Sequence, residues 1–112
     1  MIYKICGRAE WQAAERAGAY TGSADDARDG YIHFSTLAQL AGTLAKYYAT
    51  RDDLLLIGFE PDRLGPALKW EPARGGQLFP HLYAPLPTGA AASIFSLTRD
   101  AVGIHGIPTE LT

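Results

Sequence analysis

One cysteine in 112 residues, Cys6, leaves the chain without an internal disulfide, and nothing in it asks for an oxidising compartment. Long apolar runs are also missing. The longest purely aliphatic stretch is Leu54 to Ile57, far short of the roughly 20 residues a membrane-spanning helix needs. Clustered positive charge is absent: the 10 Lys and Arg residues are scattered singly against 12 Asp and Glu, for a net charge of −2. Duplex nucleic acid is therefore a poor partner, since affinity for a phosphate backbone needs grouped cations. A single nucleotide, which one or two arginines hold, stays open. The chain starts directly on a strand-like segment, without a charged leader and apolar signal region, and shows no repeat, linker or low-complexity tract. The expectation is a small cytoplasmic protein of bacterial style, with no membrane partner and no feature that encodes an oligomeric state.

What is present suits one domain over residues 1–112. Apolar residues make up 47% and charged residues 20%, enough for one core. Ile2 to Ile5 reads as a strand, and Ala9 to Ala17 as a helix with Trp11, Ala14 and Ala17 on one stripe and Gly18 as its stop. Thr21 to Gly30 reads as a polar loop carrying Asp25, Asp26 and Asp29. Tyr31 to Ser35 is a second strand. Thr36 starts the strongest helix, with Gln39 at capping-box spacing and a stripe of Leu37, Leu40, Ala41, Leu44 and Tyr48. Leu54 to Phe59 is apolar enough for a central strand covered on both faces. Ala67 to Glu71, His81 to Leu86 and Ser93 to Thr98 read as further strands, with a flexible loop at Arg74 to Gln77. Asp100 to Thr112 reads as an extended or partly mobile tail. Strands outnumber helices and the helices come early, so the class is α+β.

Two strings follow one template: Tyr31-Ile32-His33-Phe34-Ser35 and Phe79-Pro80-His81-Leu82-Tyr83. Side chains alternate along a strand. Tyr31, His33 and Ser35 then share one face, and so do Phe79, His81 and Tyr83, while Ile32, Phe34 and Leu82 point to a core. A polar, histidine-bearing face is what a binding cleft uses. A histidine at a core boundary is expected as the neutral ring, which donates from one nitrogen and accepts at the other and so suits a ribose hydroxyl. Its ordinary alternative is a bond to a nearby carbonyl or hydroxyl. Ser35 and Thr36 would meet a phosphate at a helix start, or simply cap that helix. Pro80 removes a backbone donor, which places it at a strand start or an edge. Tyr83 suits stacking on a planar ligand, or burial with its hydroxyl satisfied. Trp70 precedes Glu71, the best-placed carboxylate for acid–base work; the alternative is an exposed strand acid. Weaker options are a metal site from His33, His81 and His105, which lacks ligand spacing, a Cys6–histidine pair, and a phosphate loop at Arg74-Gly75-Gly76, which lacks the Lys-Ser/Thr ending.

Gly30-Tyr31-Ile32-His33-Phe34-Ser35-Thr36, Gln39, Leu54-Leu55-Leu56-Ile57, Trp70-Glu71 and Phe79-Pro80-His81-Leu82-Tyr83 together resemble the bacterial domain-of-unknown-function family 952, in order from Tyr3 to about Phe95. A more distant likeness is to the RNA 2′-phosphotransferases, of ADP-ribosyltransferase-like fold, which bind NAD in a cleft between two small sheets. That resemblance aligns His33 and Ser35 with a histidine and a hydroxyl of the relatives' His-hydrophobic-His-hydrophobic-Ser string. Tyr31 replaces the other histidine of that string, Lys4 stands near their first-strand histidine, and Arg28 is offset by one from a family arginine.

The resulting expectation is an α+β protein of two small mixed or antiparallel sheets that binds a nucleotide of NAD or ADP-ribose type. Catalytic roles would fall to His33, His81 and Glu71, and ligand contacts to Tyr31, Ser35, Thr36, Trp70 and Tyr83, with no metal. The alternatives are a binding module without turnover, which Lys4 motivates, and a structural or interaction domain without a ligand.

Overall fold

The computed structural model describes residues 1–112. Its centre is an antiparallel sheet in the order β1 (Ile2–Gly7), β4 (Leu54–Phe59), β8 (Ala91–Ser96). Every residue of β4 is buried, because both faces of this sheet are covered. On one face Ile2, Cys6, Leu55, Ile57 and Phe59 pack with Trp11 and Ala14. These two come from the stripe of helix α1 (Arg8–Ala17), which ends at Gly18 with φ 88° and its N–H bonded to the Ala14 carbonyl at 2.8 Å. On the other face Tyr3, Ile5, Leu54 and Leu56 pack with Leu40 and Leu44 of helix α3 (Leu40–Tyr47).

A second antiparallel sheet has the order β3 (Ile32–His33), β6 (Leu78–Leu82), β5 (Leu68–Pro72). A two-stranded ribbon of β2 (Ala19–Tyr20) and β7 (Leu86–Pro87) completes the architecture. The α+β class holds, with three small sheets in place of two. The two larger ones meet at a single residue pair, Tyr3 and Ser35, which exchange backbone hydrogen bonds of 2.8 and 2.9 Å.

Several elements differ from the reading of the sequence. Thr21 to Gly30 is not all loop: Ala24–Asp29 is a helix, α2, whose N-cap Ser23 accepts from Asp26 N–H while the Asp26 carboxylate accepts from Ser23 N–H. A capping box therefore holds six residues that have no apolar stripe. Thr36 does not open an α-helix directly. It leads a 3₁₀ turn, Leu37–Gln39, and its N–H donates to Gln39 Oε1 before α3 begins. The strand expected from His81 instead runs Leu78–Leu82, with Pro80 inside a central strand. The Pro80 carbonyl accepts from Phe34 N–H, so its nitrogen also faces the β3 side. The missing donor thus falls where β3 pairing ends. The tail lies on the body, which fits the extended alternative expected for it. Arg99 forks onto Asp52 at 2.7 Å, His105 Nε2 donates to the Arg51 carbonyl at 2.8 Å, and Ile107 and Leu111 pack on the second core.

No helix is long and apolar enough to cross a membrane.

Candidate functional site

The register of β3 against β6 sets His33 directly opposite His81. Paired residues share a sheet face, so the two histidines project together, with ring centroids 5.6 Å apart. Tyr31 covers them: its ring centroid lies 4.0 Å from that of His81, 4.6 Å from that of His33 and 5.3 Å from that of Tyr83. On β5, Glu71 shares this face. Its Oε1 accepts from His81 Nδ1 at 2.8 Å and from the Tyr83 hydroxyl at 2.7 Å. The Tyr83 hydrogen bond, followed by that from His81, outweighs burial and holds the Glu71 carboxyl below its usual range. The same bond to Glu71 pushes the Tyr83 hydroxyl up to about 12.

Beside this cluster a cleft of about 130 Å³ opens where the two larger sheets meet. Its walls include Tyr3, Ser35 and His81 from the sheets, Asp26 and Asp29 from α2, Thr43 from α3, and Arg74. His81 is 3% exposed, and its Nε2 has no protein partner. Since Nδ1 donates to a carboxylate, Nε2 of the neutral ring carries the lone pair. Ser35 Oγ lies 3.2 Å from Thr43 Oγ1, and Arg74 Nη1 donates to Thr43 Oγ1 at 3.1 Å.

His33 is placed at this site but is otherwise engaged. Its Nδ1 meets Asp26 Oδ1 at 2.6 Å and its Nε2 meets Asp29 Oδ2 at 2.9 Å. Both ring nitrogens are thus engaged by carboxylates, which leaves neither free for the ribose hydroxyl expected of this ring. Asp26 is the hub. Besides His33 it takes the Lys4 ammonium at 2.9 Å, and both partners are 2% exposed. Burial alone would raise the Asp26 carboxyl; the His33 hydrogen bond and the Lys4 charge overcome it and hold the carboxyl well below its usual range. Lys4 therefore points at Asp26 from the first core face and does not line the cleft.

Of the other expected contacts, Ser35 lines the cleft, while Tyr31 and Tyr83 flank the histidines. Glu71 stands behind His81 and outside the cleft lining. Thr36 is spent on the turn before α3. Trp70 is not brought to the cleft: alternation along β5 turns it to the opposite face, beside Pro61, Asp62, Gly65 and Leu68. His105 is held in the C-terminal segment and Cys6 in the first core. The sequence reading did not single out Asp26, Asp29 or Thr43 as lining residues, and it raised Arg74 only as part of a weak phosphate-loop option. Of the first three, Asp26 alone had a readable signal, the Ser23-x-x-Asp26 spacing.

A family model described as a protein of unknown function, DUF952, matches residues 5–94. The chain belongs to this family. Among solved structures, the crystal structure of protein CC0527 from Caulobacter crescentus is 45% identical to this DUF952 chain. It covers 94% of this chain and 92% of that one, at a TM-score of 0.91. The solution NMR structure of CC0527 is 46% identical over 92% of this chain and 89% of that one, at a TM-score of 0.83. No curated protein matches the chain.

Proposed function

We propose that the cleft binds a nucleotide-class ligand of NAD or ADP-ribose type through its sugar, with His81 as the group that accepts from a sugar hydroxyl. The observation that carries this reading is the buried His81 ring, with Nδ1 fixed by Glu71 and Nε2 unpartnered at the cleft. A carboxylate-oriented imidazole of this kind is suited to hold a hydroxyl and, if the ligand turns over, to take its proton. The cleft's roughly 130 Å³ admits a sugar-sized group. The planar part of the ligand then lies outside, where the Tyr83 ring is exposed beside Tyr31. The ADP-ribosyltransferase-like relation belongs to this proposal, and in it Glu71 acts through His81 rather than against the sugar directly.

Capture without turnover is the second reading. It is favoured by His33, the other expected catalytic histidine, whose two nitrogens are both tied to carboxylates.

The test is an amide NMR titration with NAD, ADP-ribose and a 2′-phosphorylated dinucleotide. Shifts confined to Tyr31–Thr36 and Phe79–Tyr83, lost in a folded His81→Ala variant, are expected. The absence of any shift at millimolar ligand would sink the proposal. Nicotinamide release from NAD over hours separates turnover from capture.

A further inference from the structure

We propose that Arg74, Ser35 and Thr43 form an oxyanion subsite that takes the phosphate group of a phosphorylated sugar or nucleotide. This rests on the reading above for the sugar and adds the chemistry of its substituent.

The cleft lining contains two arginines. Arg28 is neutralised by Asp25 and Asp29 at 3.2 and 3.0 Å. Arg74 has no carboxylate partner: its guanidinium lies 5.0 Å over the Phe79 ring, with Nη1 on Thr43 Oγ1 at 3.1 Å and Nη2 at 3.5 Å from the Gln39 carbonyl. A guanidinium has five N–H donors in a planar fork, so donors remain for a bidentate oxyanion. The Ser35 hydroxyl, 3.2 Å from Thr43 Oγ1, extends the donor set. His81, with Nε2 unpartnered, lines the same cleft, so one ligand can place a hydroxyl on His81 and a phosphate on Arg74.

Glycines flank this arginine in the chain and in space. Gly75 and Gly76 take φ of 68° and 77°, a left-handed turn that suits residues without a Cβ and carries the chain past Arg74. On α3, a Cβ added at Gly42 would come within 3.0 Å of Arg74 Nη2. A helix-weakening glycine thus stands where the guanidinium lies against the helix.

The test uses the full chain with ribose 5-phosphate, ribose and inorganic phosphate as probes, followed by the amides of Ser35 and Thr43, the Arg74 Nε–H and the His81 ring. Ribose 5-phosphate is expected to bind at least about tenfold more tightly than ribose. That advantage is expected to vanish in Arg74→Gln. Arg74→Gln binding ribose 5-phosphate as tightly as the parent would overturn the subsite. The two proposals fail separately. Inorganic phosphate shifting Arg74 while no sugar perturbs His81 keeps the subsite and removes the sugar reading. Ribose perturbing His81 with no gain from phosphate does the reverse.

Discussion

The Asp26 carboxylate accepts four hydrogen bonds from three other residues. Its two oxygens accept from Lys4 Nζ, Ser23 N–H, His33 N–H and His33 Nδ1. A buried pair of this kind gains little over an apolar replacement, but breaking one side strands the other charge. Asp26→Asn is expected to cost about 3–5 kcal/mol in urea denaturation, because it leaves the Lys4 ammonium buried and unpaired. Lys4→Met is expected to cost less, since Asp26 keeps its other donors. The Asp26 carboxyl titrates lower in the native state than in the unfolded chain. Its contribution is therefore complete above the unfolded carboxylate range and is lost as pH falls towards the native value. Denaturation midpoints followed from pH 7 to pH 3 should fall more steeply for the parent than for Asp26→Asn. Tyr83→Phe removes the hydrogen bond that does most to depress Glu71. The Glu71 carboxyl should then titrate closer to its ordinary value by carbon NMR, and an unmoved titration would show that Tyr83 does not set it.

At the scale of elements, α2 is the piece on which the histidine wall depends, since it brings Asp26 and Asp29 to His33. Ser23→Ala removes one side of its capping box and should cost about 1 kcal/mol, with chemical-shift changes reaching His33. This helix was not legible, because Ala24-Asp25-Asp26-Ala27-Arg28-Asp29 has no apolar period and only the cap marks it. Helix α1 and strand β4 were legible, since the Trp11–Ala14 spacing and the apolar run at Leu54 report burial directly. In β6 the strand was legible but not its bounds: Pro80 argues for a strand start unless one knows that β3 stops opposite it. The same limit applies to the site. Alternation along the two strings showed that His33 and His81 each share a face with a hydroxyl residue. Only the register shows them opposite each other, and only tertiary packing brings Arg74 onto α3. Trp70 shows the converse, a residue type suited to stacking on a face the sheet turns away from the cleft.

For the whole molecule, the closing segment covers the second core. Deleting residues 100–112 removes Ile107 and Leu111 from that core, together with the His105 bond to Arg51. It should cost roughly 2–4 kcal/mol by chemical denaturation. Lys4 has a consequence at this scale too. Strand β1 is the outer strand of its sheet and meets the neighbouring sheet at one residue pair only. Lys4 points inward from this strand, and in the native fold its charge is met by Asp26, twenty-two residues away in sequence. Any rearrangement that peeled α2 away from β1 would leave that ammonium without its carboxylate, so the pair sets a cost on opening the outer edge of the sheet.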